Sequence, residues 1–282
     1  MTAMTISTRD ISDLRARTGA GMMDCKKALE EANGDMTLAG EILRKKGIAK
    51  AEKRAGRDAS QGLVVIENVS DRGAMIELNC ETDFVARTDG FQMLAQRLAS
   101  HALESSPIGV TLEQFLAESI DGKSIDQLVK ETSGTTGEAM TLKRVAKFGA
   151  DAGVVGVYRH HNKQVGVLVE LTGAADDAAM ALVNEIALHV ASADPIAVTA
   201  ADIAPDLIER ERRIAEEQVA AEGKPEAIRA KIVEGKVRKF AAERALVDQP
   251  FVKDESVTIG QMLARIPGAQ VARFARFKVG EV

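Results

Sequence analysis

Leu94-Ala95-Gln96-Arg97-Leu98-Ala99-Ser100-His101-Ala102 lines up with Leu182-Val183-Asn184-Glu185-Ile186-Ala187-Leu188-His189-Val190. Both stretches carry apolar residues at helical spacing and a histidine at the same place. Each therefore reads as the amphipathic helix of a repeated unit. Before the first helix, Leu63-Val64-Val65-Ile66, the turn Ser70-Asp71-Arg72-Gly73 and a strand over 74–80 make a β-hairpin. Before the second, strands over 153–158 and 165–171 make another around Asn162-Lys163. Phe91, Leu94, Leu98 and Ala102 share one face of the first helix, and the second begins near Asp176. Two further helical stretches follow the first helix, around 112–120 and 124–131. Each unit closes on a strand: Arg144-Val145-Ala146-Lys147-Phe148 in one, Arg273-Phe274-Ala275-Arg276-Phe277 in the other.

The second unit has roughly 40 more residues between its histidine and its closing strand, so it carries an insert. Residues 202–240 form two charged amphipathic helices, broken at Gly223-Lys224-Pro225, with Pro225 suited to opening the second. Ile208, Ile214 and Val219 can face Ile228, Ile232, Val233 and Val237, which predicts a protruding antiparallel helical hairpin.

The first fifty residues read as three short helices. Ile11 and Leu14 share a face, and Thr18-Gly19 ends the first helix. Asp24 caps the second, which stops at Asn33-Gly34; Asp35 opens the third, with Leu38, Ile42 and Leu43 at helical spacing, until Gly47. A module this small has a thin core and needs a neighbour or a partner. Residues 50–57 are charged and read as a helical extension or linker. The fold class is α+β, with antiparallel sheets. The expected units are 1–56, 57–152, 153–200 with 241–282, and the insert 201–240.

Composition narrows the function. Of 282 residues, 45% are hydrophobic and 28% charged, as in a globular protein. The net charge of −5 argues against broad nucleic-acid binding, and one Tyr, eight Phe and no Trp leave little for base stacking. Every uncharged stretch is too short to span a membrane. The first ten residues lack the apolar core of a signal peptide. Cys25 and Cys80, far apart, suggest neither a disulfide framework nor a metal motif, so a reducing cytoplasm is the expected compartment.

Catalytic chemistry is hard to find. Gly122-Lys123-Ser124 has the tail of a phosphate-binding loop, but Ala117 stands where its first glycine is needed. Thr18-Gly19-Ala20-Gly21 does not follow a strand, so it is no dinucleotide site. His101 and His189 read as structural, His160 and His161 as exposed at a hairpin end, and both cysteines as core residues. Lys143, Arg144, Lys147, Arg273, Arg276 and Lys278 place cations on the closing strands. They read as a solvent face, with a nucleic-acid or ribosome-binding surface as the competing reading. No cofactor or metal is expected.

One segment stands apart: Glu77-Leu78-Asn79-Cys80-Glu81-Thr82-Asp83-Phe84-Val85-Ala86-Arg87. It runs from a strand into a loop. Read plainly, Thr82 or Asp83 caps a short turn and Phe84 enters the core. Read functionally, Phe84 is an exposed hot spot beside an acid. This segment, together with Leu14-Arg15-Ala16-Arg17-Thr18-Gly19-Ala20-Gly21-Met22-Met23-Asp24-Cys25-Lys26-Lys27-Ala28-Leu29, resembles the two signature segments of the bacterial elongation factor Ts family. The duplicated units and the insert are similar to that family as well, over nearly the whole chain.

The resemblance implies a non-enzymatic guanine-nucleotide exchange factor for the GTPase elongation factor Tu. It implies a ubiquitin-associated-like (UBA-like) N-terminal domain, two core subdomains and a coiled-coil insert. Asp83 and Phe84 would be the wedge entering the GTPase domain. Thr82 and Val85 would complete the turn linked to Mg²⁺ displacement. Arg15, Met22, Met23 and Lys26 would face the partner from the N-terminal module, and His160 from the second hairpin. The sequence ends at Val282, so contacts of the C-terminal helix that some members add are expected to be missing. A helical insert can also pair with a second copy, so a homodimer through the core or the hairpin is a further expectation.

Overall fold

A computed structural model describes residues 6–222 and 225–281. Met1 to Thr5, Gly223 and Lys224 of the expected helix break, and Val282 lie outside the described residues.

Three helices come first: α1 (Thr8–Thr18), α2 (Met22–Glu31) and α3 (Met36–Arg54). Ile11, Leu14, Cys25, Leu29 and Ala39 form their small core. Gly19 ends α1 at φ 68°, a left-handed cap that costs glycine no strain. Asp35 caps α3 through the Thr37 and Leu38 amides, as expected. Two details correct the sequence reading and one completes it. The N-cap of α2 is Gly21, and Asp24 sits in the first turn, where its charge favours the helix N-terminus. Leu38 is exposed, and Ala39 takes the inward place. Most importantly, α3 does not stop at Gly47 but runs to Arg54.

Gly47 is there for contact. A Cβ added to Gly134 would lie 2.5 Å from the Gly47 Cα, so the two backbones touch. Gly134 belongs to α7, described below. A mid-helix glycine costs about 1 kcal/mol in propensity; here that cost is offset by close packing of the module against the core.

The first repeat unit begins with the hairpin β1 (Gln61–Val69) and β2 (Arg72–Cys80), followed by α4 (Asp83–Ala86) and α5 (Asp89–Glu104). Then come α6 (Leu112–Ala117), a ribbon of β3 (Ser119–Ile120) and β4 (Lys123–Ser124), α7 (Ile125–Thr136) and β5 (Met140–Gly149). Ile120 is thus strand rather than helix, because Asp121 and Gly122, both at positive φ, turn the chain there. The second unit has β6 (Gly153–Arg159), β7 (Val165–Thr172) and α8 (Asp177–Ala193). The hairpin α9 (Pro205–Ala221) and α10 (Glu226–Arg244) follows, then β8 (Pro250–Phe251), β9 (Asp254–Thr258), α11 (Ile259–Leu263) and β10 (Gln270–Lys278).

The sheets run β1-β2-β5 and β10-β7-β6, both antiparallel. Alternation along the central strands explains the layers. Ala74, Ile76, Leu78 and Cys80 face α5, while Met75 faces the other sheet. Likewise Val167, Val169 and Leu171 face α8, while Leu168 meets the first sheet. The order is helix, sheet, sheet, helix, with Val64, Ile66, Phe148, Val155 and Phe277 between the sheets. The repeat extends to irregularities: both closing strands bulge at the same place, opposite Glu77/Leu78 and at Val271/Arg273.

The helical hairpin packs on itself through Ala215, Val219, Val233 and Val237, with Ile208 and Ile232 beside them. Ile214 and Ile228 were expected in that stripe and are instead exposed. Among the described residues, no helix is long and apolar enough to cross a membrane.

Candidate partner-binding site

The segment 81–88 folds as a clamped turn. Thr82 caps α4, its Oγ1 accepting the Val85 amide at 3.4 Å, and Thr88 closes the far end by donating to the Val85 carbonyl at 2.8 Å. Thr88 then caps α5. Ala86 is buried and Val85 packs on the first core, which fixes the turn from below. Asp83 pairs with Arg87 at 2.9 Å on the surface, a contact of little energy. Phe84 points away from all of this. It is 80% exposed, so the plain reading that put it in the core is wrong. Covering a ring of this kind is worth about 1.5–3 kcal/mol, and a partner that covers it gains that term against a prearranged turn.

His160 lies at the tip of the second hairpin, half-buried rather than exposed, while His161 beside it is exposed. The His160 Nδ1 is 2.9 Å from the Tyr158 hydroxyl and its ring rests on His161. That hairpin tip is pinned to β1: Val64 donates to the Lys163 carbonyl at 2.7 Å, and Arg159 to Asn68 Oδ1 at 2.7 Å. An open groove of about 680 Å³ results, lined by Leu63, Val65, Gln92, Met93 and His160. Gln92 and Met93 belong to the first turns of α5, so the groove adjoins the end of the Phe84 turn.

The remaining expected residues sit on the N-terminal module. Arg15 is exposed on α1; Met22 and Met23 are exposed on the first turn of α2, at 42% and 64%. Lys26 is exposed one turn on and pairs with Glu30 at 3.8 Å. The expected residues thus fall in three places: turn, groove and module. The module is held to the core by the Gly47–Gly134 contact, by Arg44–Glu131 at 3.7 Å and by Arg54 donating to the Ser133 carbonyl at 3.4 Å.

Other candidates have internal duties. His189 is fully buried. Its Nε2–H donates to Gln249 at 2.9 Å, and its Nδ1 accepts the Val252 amide at 3.3 Å, which is the neutral imidazole. Burial holds its pKa below the usual histidine range, opposed by the Gln249 bond. His101 bonds Glu118 at 2.9 Å. Both cysteines are buried and free. Burial, and next the Glu138 carboxylate, push the Cys80 thiol up to about 11, far from a reactive thiolate.

The cations of the closing strands are mostly not a solvent face. Arg144 bonds the buried Glu77 at 2.6 Å, and Arg273 bonds Glu170 at 2.8 Å. Lys147 is buried and donates to the Leu103 and Ser106 carbonyls, both at 2.6 Å. Arg276 pairs with Glu281 at 2.9 Å and Asp194 at 3.4 Å. Lys278 pairs with Glu281, and Lys143 is exposed. That leaves no continuous cationic stripe on these strands for nucleic acid.

Glu81 and Glu138 escaped the sequence reading. Each accepts a backbone amide from the other's segment: Ala139 N–H to Glu81 at 2.6 Å, Thr82 N–H to Glu138 at 3.0 Å. Drawing the β2–β5 register would have exposed them, because the ladder extended beyond Cys80↔Met140 sets Thr82 opposite Glu138.

A family model described as elongation factor TS matches residues 81–281. The elongation factor Ts of Thioalkalivibrio sulfidiphilus (strain HL-EbGR7) is 44% identical over 281 residues, covering 99% of this chain and 93% of the relative. That of Aquifex aeolicus (strain VF5) is 43% identical, covering 98% and 99%. That of Arthrobacter sp. (strain FB24) is 45% identical, covering 96% and 97%.

Proposed function

The chain belongs to the elongation factor Ts family, and from that premise we propose that it is the guanine-nucleotide exchange factor of elongation factor Tu. It binds elongation factor Tu carrying GDP, displaces Mg²⁺ and promotes GDP release so that GTP can bind. The observation that carries this reading is Phe84, 80% exposed on a turn clamped at both ends.

The physics asks for no acid, base or nucleophile. GDP is held by a loop around its phosphates and by Mg²⁺ between phosphate and a Ser/Thr ligand. A protein that binds best to a conformation with those groups displaced weakens GDP by a coupling free energy, and GDP weakens that protein equally. A coupling of about 4 kcal/mol is about a thousandfold, within reach of a buried aromatic anchor. In this reading Asp83 and Phe84 enter the GTPase domain, with Thr82 and Val85 shaping the turn. Arg15, Met22, Met23 and Lys26 engage it from the module, and His160 from the groove. Residues 1–56 act as a UBA-like docking module. Residues 57–152, and 153–200 with 241–282, act as the core subdomains, and 201–240 as a coiled-coil arm.

The test is release of a fluorescent GDP from elongation factor Tu in a stopped-flow instrument. Saturating chain is expected to accelerate release by orders of magnitude; an unchanged off-rate overturns the reading.

A further inference from the structure

We propose that Glu138 is a positioning residue for exchange: its carboxylate holds the Thr82–Val85 turn in the orientation that presents Phe84. The proposal rests on the exchange-factor reading and extends it to a residue outside the wedge.

The geometry begins where the sheet ends. The last paired residues of β2 and β5 are Cys80 and Met140. On the next two rungs, side chains replace the backbone ladder. Glu81 Oε1 accepts the Ala139 amide at 2.6 Å. Glu138 then takes both donors of Thr82, the amide at 3.0 Å on Oε2 and the hydroxyl at 2.6 Å on Oε1. Charge-assisted bonds of this kind are roughly twice as strong as neutral ones. The Ala139 amide holds the Glu81 carboxyl below its usual range, so Glu81 stays ionised.

The grip on Thr82 fixes more than Thr82. With its proton committed to Glu138, Oγ1 keeps a lone pair for the Val85 amide and so caps α4. That helix is a single turn, too short to hold itself. Glu138 is in turn anchored, because the Ser133 hydroxyl donates to its carbonyl at 2.6 Å. The chain of support runs from α7 through Glu138 and Thr82 to the turn carrying Phe84. A wedge ordered beforehand spends none of the binding energy on its own ordering.

The experiment uses the full chain with Glu138→Ala and the isosteric Glu138→Gln, which keeps one acceptor oxygen. Amide hydrogen exchange of residues 82–87 is read beside GDP release from elongation factor Tu. Glu138→Ala is expected to speed amide exchange in that segment about tenfold, leaving α8 unchanged. Its maximal GDP-release rate is expected to fall about tenfold, with the half-saturating concentration moving less than about twofold. Glu138→Gln should lie between it and the parent. If Glu138→Ala disturbs α8 as well, Glu138→Gln decides. Unchanged amide exchange at 82–87 overturns the proposal, as does faster amide exchange there with a full release rate. A parent chain that fails to accelerate release sinks the exchange-factor reading and this role with it. The amide measurement then still reports whether Glu138 holds the turn.

Discussion

The guanidinium of Arg144 lies 4.6 Å from the centroid of the Phe277 ring, on the opposite sheet. The repeat returns the contact: Arg273 lies 4.5 Å from Phe148. Each arginine also bonds a glutamate of its own central strand, Glu77 or Glu170. The two units are therefore interlocked through paired cations stacked on aromatic faces. The second hairpin, with His160, is held against β1 separately, by the Val64–Lys163 and Arg159–Asn68 bonds.

Glu77 is fully buried, so removing Arg144 leaves a buried charge held by the Gly280 amide at 3.3 Å. Arg144→Met is expected to cost about 3–5 kcal/mol in urea unfolding, and the double variant Glu77→Gln/Arg144→Met distinctly less. Equal losses in the two would show that the ion pair is not what Arg144 supplies.

Glycines in helices should separate by contact. Gly235 on α10 has open space around it, so Gly235→Ala is expected to stabilise by about 1 kcal/mol. Gly134→Ala places a methyl against the Gly47 backbone and should destabilise by about 1–3 kcal/mol. Limited proteolysis near Arg57 should accelerate in that variant, as the module loosens from the core.

His189 sets a pH dependence. Its native pKa lies below the usual value, so the unfolded chain takes up the proton first as pH falls. Its contribution is complete above the unfolded-state pKa of about 6.5 and is lost as pH drops through the lower native value. Melting temperatures between about pH 7.5 and 5 should therefore fall more steeply in the parent than in His189→Gln. Parallel curves would contradict this.

The helical hairpin carries its own core, Ala215, Val219, Val233 and Val237. Joining Ala204 to Ala241 should leave both sheets intact and reduce GDP release less than loss of the Phe84 ring. A larger reduction would make the hairpin part of the working surface.

Much of this was legible in local pattern. The hairpins, the paired helices and the helix starts at Asp35 and near Asp176 follow from spacing and polarity within a few residues. What was not legible depends on distant packing. Gly47 reads as a stop until Gly134 is placed against it. Arg144 and Arg273 read as solvent cations until two sheets stack face to face. Local pattern leaves the exposure of Phe84 open, since a ring beside an acid on a loop can be either buried or exposed. The exposure follows from Val85 and Ala86 taking the inward positions of a turn whose support, Glu138, arrives from the far side of the unit.

The central claim is that an exposed ring, held ready, opens the partner's nucleotide site. Phe84→Ala, with its fold verified by unchanged melting and circular dichroism, tests it most directly through the maximal rate of GDP release from elongation factor Tu. Losing a hot-spot aromatic worth about 2–4 kcal/mol should slow that rate by roughly 30-fold or more. Release at the parent's rate from the correctly folded variant would contradict the claim.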